Sequence, residues 1–178
     1  MPFAAVITAD IVNSTVSGAG MGKKLVARLS TVLKNHKFEF YRGDSFQAYI
    51  KDPSAALKLA IGLRTAAKSF SGIYDVRISI GIDKAVRTVQ TLRTANSEVF
   101  VLSGRMFEQL KDDQRLWIQS ANENANIAFR LIAYFTDYIL KQLTSRQAEV
   151  VMELLKEQTQ TAVYQKLKIN QSPINKYA

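Results

Sequence analysis

Apolar positions change period several times along the chain, and each change marks an element. Ala4-Ala5-Val6-Ile7 is a continuous apolar run ending at Asp10, which predicts a buried strand. Ser17-Gly18-Ala19-Gly20 reads as a loop, followed by a helix with Leu25, Leu29, Val32 and Leu33 on one face. Phe38 and Phe40, then Phe46, Ala48 and Ile50, alternate around Gly43-Asp44, and Gly at the first central position of a two-residue turn predicts a hairpin. Asp52-Pro53 can cap and open a helix carrying Leu57, Leu59, Ala60, Ile61, Leu63 and Ala67. Residues 75–82 alternate again as a strand, 98–110 carry a helical stripe, and Arg115-Leu116-Trp117-Ile118 reads as a last strand. Residues 83–97 are polar and read as an irregular strand and loop.

From about residue 122 the pattern is helical throughout. Residues 127–143 form one long apolar helix. Thr144-Ser145-Arg146-Gln147 is a capping box, in which the Thr hydroxyl caps the new helix and Gln reaches back. Ala148, Val151, Met152 and Leu155 give that helix its buried face, and residues 159–167 make a short one. Lys168-Ile169-Asn170 is a tight turn, and a third helix runs from Gln171 to Ala178. The order β-α-β-β-α-β, then α-β, predicts an α+β fold. Its expected core is a ferredoxin-like antiparallel sheet with helices on one face and the first strand central. The expected division is an α/β domain at 1–121, a connecting helix at 122–142, and a small helical module at 143–178.

The composition is that of an ordinary globular chain: 178 residues, 47% hydrophobic and 22% charged. The net charge is +9, with Lys and Arg in excess both before and after residue 140. That surplus makes polyanions plausible partners, whether nucleic acid or a phosphorylated ligand. With no cysteine, disulfides and thiolate zinc are excluded, and the single histidine, His36, cannot build a His cluster. No basic-then-apolar leader opens the sequence, and no apolar stretch approaches the ~20 residues of a membrane span. The expected location is the cytoplasm, with no membrane partner.

Two aspartates carry the candidate chemistry. Asp10 closes the first apolar run in ADIVNST, and Asp44 sits in the hairpin turn of GDSFQAYI. If the first strand lies beside that hairpin, both carboxylates meet at one sheet edge, where a hard divalent cation such as Mg²⁺ or Mn²⁺ could bind a phosphate. Each also has a plainer reading, Asp44 as a turn residue and Asp10 as a strand-end cap. Arg42 and Arg77 read as exposed strand residues.

The tail string TQTAVYQKLKINQSPINKYA resembles a bacterial helix-turn-helix. Val163 and Leu167 would face the core, Ile169 would plug the corner, Asn170 would cap, and Ile174 would anchor the next helix. Gln171, Ser172, Asn175 and Lys176 would then point outward, residue types that read adenine edges or contact phosphate, with Tyr177 adding a phosphate contact. Lys168 occupies a turn position that usually holds Gly, because positive φ is needed there. The recognition helix is short, roughly two turns. A three-helix bundle that only packs on the main domain, or mediates dimers, is the alternative.

Residues 1–120 resemble the class III adenylate and guanylate cyclase homology domain, and most of all the compact bacterial SatD-like proteins that pair it with a terminal helix-turn-helix. ADIVNST, GDSFQAYI with AALKLAIGLRTAA, and VRISIGI with SGRMFEQL carry the likeness. The resemblance implies that Asp10 and Asp44 hold two metal ions on the triphosphate of a purine nucleotide, aided by the Ile11 carbonyl. It also implies that Asn13, Ser14 and Thr15 lie near phosphate. Arg105 matches the transition-state arginine. The base-selecting lysine is replaced by Phe40, its acidic partner by Thr94, and the transition-state asparagine by Val101, with Asn96 or Ser103 as stand-ins. Loss of those polar groups argues against catalysis, since phosphoryl transfer depends on electrostatic stabilisation. Cyclase sites form across a dimer, which implies a homodimer. The expected function is a transcriptional regulator with a catalytically degenerate, metal- or nucleotide-binding domain. The alternatives are an active cyclase or other metal-dependent phosphoryl-transfer enzyme, or an interaction module with neither activity.

Overall fold

The computed structural model describes residues 2–16, 18–41, 43–85, 91–92, 97–156 and 158–168. It is an α+β structure built on one five-stranded mixed sheet. The elements run β1 (Phe3–Val12), α1 (Gly18–Leu33), β2 (Lys37–Tyr41), β3 (Ser45–Ile50), α2 (Ala56–Phe70), β4 (Asp75–Lys84), α3 (Glu98–Gln109), β5 (Leu116–Ser120), α4 (Glu123–Gln142), α5 (Ser145–Leu154) and α6 (Gln160–Leu167). The strand order is β2-β3-β1-β4-β5, so β1 is central. β1 pairs antiparallel with both β3 and β4, whereas β5 runs parallel to β4. The sheet is therefore mixed rather than wholly antiparallel, because α3 carries the chain from β4 to a parallel neighbour.

Helices cover both faces, not one. The strand period of two sends Ala5, Ile7, Ala9 and Ile11 into the main core, with Leu25, Leu29 and Leu33 of α1 and Ala60, Leu63 and Ala67 of α2. Ala4 and Val6 point the other way, against Val99 and Phe100 of α3. On that second face the Thr8 and Ser103 hydroxyls share a hydrogen bond of 2.9 Å. Gly81 of β4 permits the close approach, since a Cβ there would stand 2.7 Å from the Ser103 nitrogen and 2.8 Å from the Val99 oxygen.

Local signals sit where the sequence puts them. Asp52 Oδ1 accepts from the Ser54 amide at 3.0 Å and opens a short 3-10 turn ahead of α2. Thr144 and Gln147 form the capping box of α5: the Thr144 amide donates to Gln147 Oε1 at 2.9 Å and the Gln147 amide to Thr144 Oγ1 at 3.3 Å. Lys168 ends α6 in the left-handed conformation, φ 50°. Two boundaries differ. Gly18, Ala19 and Gly20 belong to the first turn of α1 rather than to a loop. The β2–β3 pairing closes at Tyr41 and Ser45, which leaves a three-residue connection, 42–44, with Gly43 at φ 85°.

Beyond β5, the chain returns to the main core. Asn122 caps α4 by accepting from the Asn124 and Ala125 amides, and α4 lies along β5 with Ala133 in the core. α5 packs on α2, where Arg28 of α1 donates to the Ala66 carbonyl at 3.0 Å and to Ser69 at 2.8 Å beside Met152. A buried ion network ties the layers. Arg64 of α2 grips Asp75 of β4 through two hydrogen bonds, 2.9 and 2.8 Å, and Asp137 of α4 through a third, 2.7 Å. Burial works against charge on Arg64, but these carboxylates prevail and hold its pKa above the ordinary value. Among the described residues no helix is long and apolar enough to cross a membrane.

Candidate functional site

The ends of β1 and β3 bring the two aspartates to neighbouring backbone positions. Asp10 is opposite Ser45 in the ladder, and the Ile11 amide donates to the Asp44 carbonyl at 3.1 Å. Their side chains part company there. Asp10 shares the α3 side of the sheet with Thr8, two residues earlier in the strand. Its Oδ2 accepts from Arg77 Nη2 at 3.1 Å, directly across the β1–β4 ladder. Arg77 lies over the Phe107 ring of α3, its Cζ 4.8 Å from the centroid. Arg77 is thus no idle exposed strand residue. It occupies the position of a cation on Asp10, and the antiparallel register that places it there is a tertiary fact.

Asp44 faces the other side. Ser14 Oγ donates to Asp44 Oδ2 at 2.7 Å, and the Ser45 hydroxyl lies 3.4 Å from Oδ1. Ser14, Thr15 and Asp44 line a cavity of about 210 Å³ with Ile11 and Gly43, walled by Leu25 and Val26 of α1. Tyr74 also lines it and is buried, and its hydroxyl has no hydrogen-bond partner among the described residues. The polar loop and the turn form this rim because neither can continue its strand: Asn13 adopts φ 62° and Gly43 φ 85°.

Of the residues expected to act together, Ile11, Ser14, Thr15 and Asp44 surround this one cavity, and Asp10 is not among its lining residues. A cation shared by Asp10 and Asp44 does not fit the side chains as placed, because one carboxylate is neutralised by Arg77 and the other points into the α1-side cavity. Among the described residues no group of three or more His, Cys, Asp or Glu could hold a metal. Asp44 with Ser14 does fit a hard cation that brings its own phosphate and water ligands, since Mg²⁺ is commonly held by one or two carboxylates plus phosphate oxygens. Asn13 is engaged elsewhere: its Nδ2 donates to the Ile73 carbonyl at 2.7 Å and clamps the loop to the α2–β4 connection.

Arg105 lies on α3, exposed, two residues from Ser103, which packs on the sheet. Two residues along a helix turn through about 200°, so Arg105 points away from the sheet and from Asp10. Ser103 is fully buried and also donates to the Phe100 carbonyl at 3.1 Å, so it is no free substitute for a catalytic amide. Phe40 packs against Phe46 with ring centroids 4.8 Å apart, and Val101 falls in the first turn of α3. Thr94, Asn96, Arg42 and the whole set Gln171, Ser172, Asn175 and Lys176 lie outside the described residues, as do Ile169 and Asn170.

Sequence reading missed two parts of this region, Arg77 on Asp10 and Tyr74 behind Asp44. The first had a signal: an Arg in the apolar strand of residues 75–82. No protein-family model matches the chain, and no curated protein is significantly similar to it.

Proposed function

We propose that the protein is a non-catalytic regulator in which a degenerate nucleotidyl-cyclase-like domain senses a cation-bound phosphate ligand and a helix-turn-helix tail binds DNA. The observation that carries the sensing reading is the convergence of Ser14, Thr15 and Asp44 on one cavity at the ends of β1 and β3. The βαββαβ order with β1 between β3 and β4 follows the ferredoxin-like plan and supports the cyclase-like assignment. At about 210 Å³ the cavity falls below the ~300–1,000 Å³ of sites that enclose a drug-sized ligand. It suits a phosphate with its cation and a few waters, and a purine would lie outside it.

Asp44 and Ser14 would hold Mg²⁺ or Mn²⁺, which supplies charge neutralisation of the phosphate. Asp10 joins only when Arg77 releases it and its carboxylate swings from the α3 side of the sheet over the strand end. That pair is about a quarter exposed on each side, so it is worth no more than ~1 kcal/mol and a divalent cation can compete for it. Absence of catalysis is favoured by the aromatic packing of Phe40 and by the outward direction of Arg105. The tail reading is supported by the capping box of α5, the burial of Val163, and the left-handed Lys168.

Thermal shift with Mn²⁺ or Mg²⁺, with and without ATP or GTP, tests the sensor. The reading expects stabilisation by the cation–nucleotide pair, its loss in Asp44→Ala, and a larger response in Arg77→Gln. No response in the wild type, or one that survives Asp44→Ala, refutes it, and a cyclic product on chromatography of the same samples would replace it with an enzyme. For the tail, absence of any mobility shift of duplex DNA at low salt refutes DNA binding, because non-specific affinity is mainly electrostatic.

A further inference from the structure

α4 is apolar on nearly every side, yet among the described residues only one side is covered. Ala133, Asp137 and Leu140 face the protein and are buried. Ile127, Leu131, Ile132, Tyr134, Phe135, Tyr138 and Ile139 are between 41% and 68% exposed. Their spacing places 127, 131, 134 and 138 in one seam and 132, 135 and 139 in a second beside it. At 3.6 residues per turn the two seams span about 160° of the helix. A helix that is apolar all round belongs in a core, whereas one face against solvent is normally polar.

The size of the patch identifies what covers it. With ~200 Å² for each large side chain, the exposed fractions amount to roughly 800 Å². That exceeds the ~300–600 Å² of the largest apolar patch on a typical monomer. It equals the ~800 Å² that each partner contributes to a standard stable interface. Charge points the same way. Between residues 127 and 139 the only charged side chains are Arg130 and Asp137, and Asp137 is buried. Although each molecule carries a net charge of +9, this face therefore brings no like-charge cluster of its own into contact. An uncharged, aromatic-rich face is complementary to itself, as a two-fold interface requires, and homodimer interfaces are the more apolar class.

We infer that the protein is a homodimer held by antiparallel packing of α4 on the α4 of a second copy. A crossing centred between Leu131 and Phe135 sets Ile127 opposite the partner's Ile139. This surface lies on the side of the sheet that carries α1 and α2, so it leaves Asp10, Arg77 and α3 uncovered. It is not the interface that the cyclase resemblance implies, and it does not rest on the metal or nucleotide reading. Because α4 ends at Gln142 and α5 begins at Ser145, this packing would also set the separation of the two α5–α6 units.

The test is the oligomeric state of the full chain by sedimentation equilibrium and light scattering, on the wild type, Phe135→Glu and Tyr138→Glu. A dimer at micromolar concentration is expected, with its dissociation constant raised at least 100-fold in either variant and the unfolding temperature of the monomer retained, since both side chains are exposed. The chain has no cysteine, so introduced cysteines report geometry without background. The double variant Leu131→Cys/Phe135→Cys, whose two positions face each other across the two-fold axis, should cross-link on oxidation, and Glu123→Cys, at the far end of α4, should not. A wild type that stays monomeric at 100 µM overturns the inference, as does a dimer indifferent to both glutamates. Equal cross-linking at residue 123 also overturns it, and so does a monomer that sediments with lipid vesicles, which would assign the face to a membrane.

Discussion

Replacing Arg64 by Met should be among the most damaging single changes in this chain. Arg64 is completely buried and makes three charge-assisted hydrogen bonds that join α2 to β4 and to α4. The side chains of Asp75 and Asp137 are only 12% and 8% exposed, so neither can recover its lost partner from water. Each keeps something: Asp75 the Val76 amide, and Asp137 the Arg115 amide and Lys141. Removing one partner of a buried ion pair costs ~3–5 kcal/mol, and these surviving bonds set the expected loss at about 4 kcal/mol. For a domain of this size ~1 kcal/mol moves the melting temperature by ~2–4 °C, so Arg64→Met should melt roughly 8–16 °C lower. Arg64→Lys should also be clearly destabilised, because a single ammonium cannot reproduce the two-pronged grip on Asp75 while reaching Asp137. Calorimetry with urea unfolding measures both variants. A loss below ~1 kcal/mol for Arg64→Met, or a lysine variant as stable as the wild type, would show that the network does not hold these layers together.

Gly81→Ala should cost more than ~2 kcal/mol, or prevent folding, because the new methyl would meet backbone atoms of α3 at 2.7 and 2.8 Å; urea unfolding reads it, and a neutral result would mean that α3 packs less closely on β4. Burial acts to raise the pKa of Glu153, but hydrogen bonds from Lys156 and Lys166 overcome it and hold the carboxyl below its ordinary value. Its contribution is therefore present above the unfolded-state pKa and is lost as pH falls through the folded one, so hydrogen-exchange protection factors at the α5–α6 contact, corrected for the slower intrinsic exchange in acid, should fall on acidification in the wild type and change less in Glu153→Gln.

How much of the site was legible in the sequence depended on the distance along the chain over which each decision is made. The Gly43 turn, the Asp52 cap, the Thr144–Gln147 capping box and the positive φ at Lys168 involve residues within a few positions of one another. Their chemistry is complete in a short peptide, so the residue types alone announce them. The closeness of Asp10 to Asp44 was legible one level up, because the hairpin and the first strand are natural neighbours. What each carboxylate does was not, since that turns on Arg77, sixty-seven positions from Asp10, and on Ser14.

Apolar periodicity alone established the α+β class, the succession of strands and helices from β1 to α6, and which stripe of α1 and α2 turns inward, because burial of one face is a local pattern that repeats with the backbone. Only the tertiary structure decided that β5 joins parallel, that α3 takes the second face of the sheet, and that Arg64 and Asp137, charges in apolar stretches, are partners in the core. It alone also leaves one side of α4 bare, although the sequence marks that helix as apolar nearly all round. The reason is physical: a residue's affinity for water is written in its side chain, but which surface relieves it is settled only when distant segments compete for the same space.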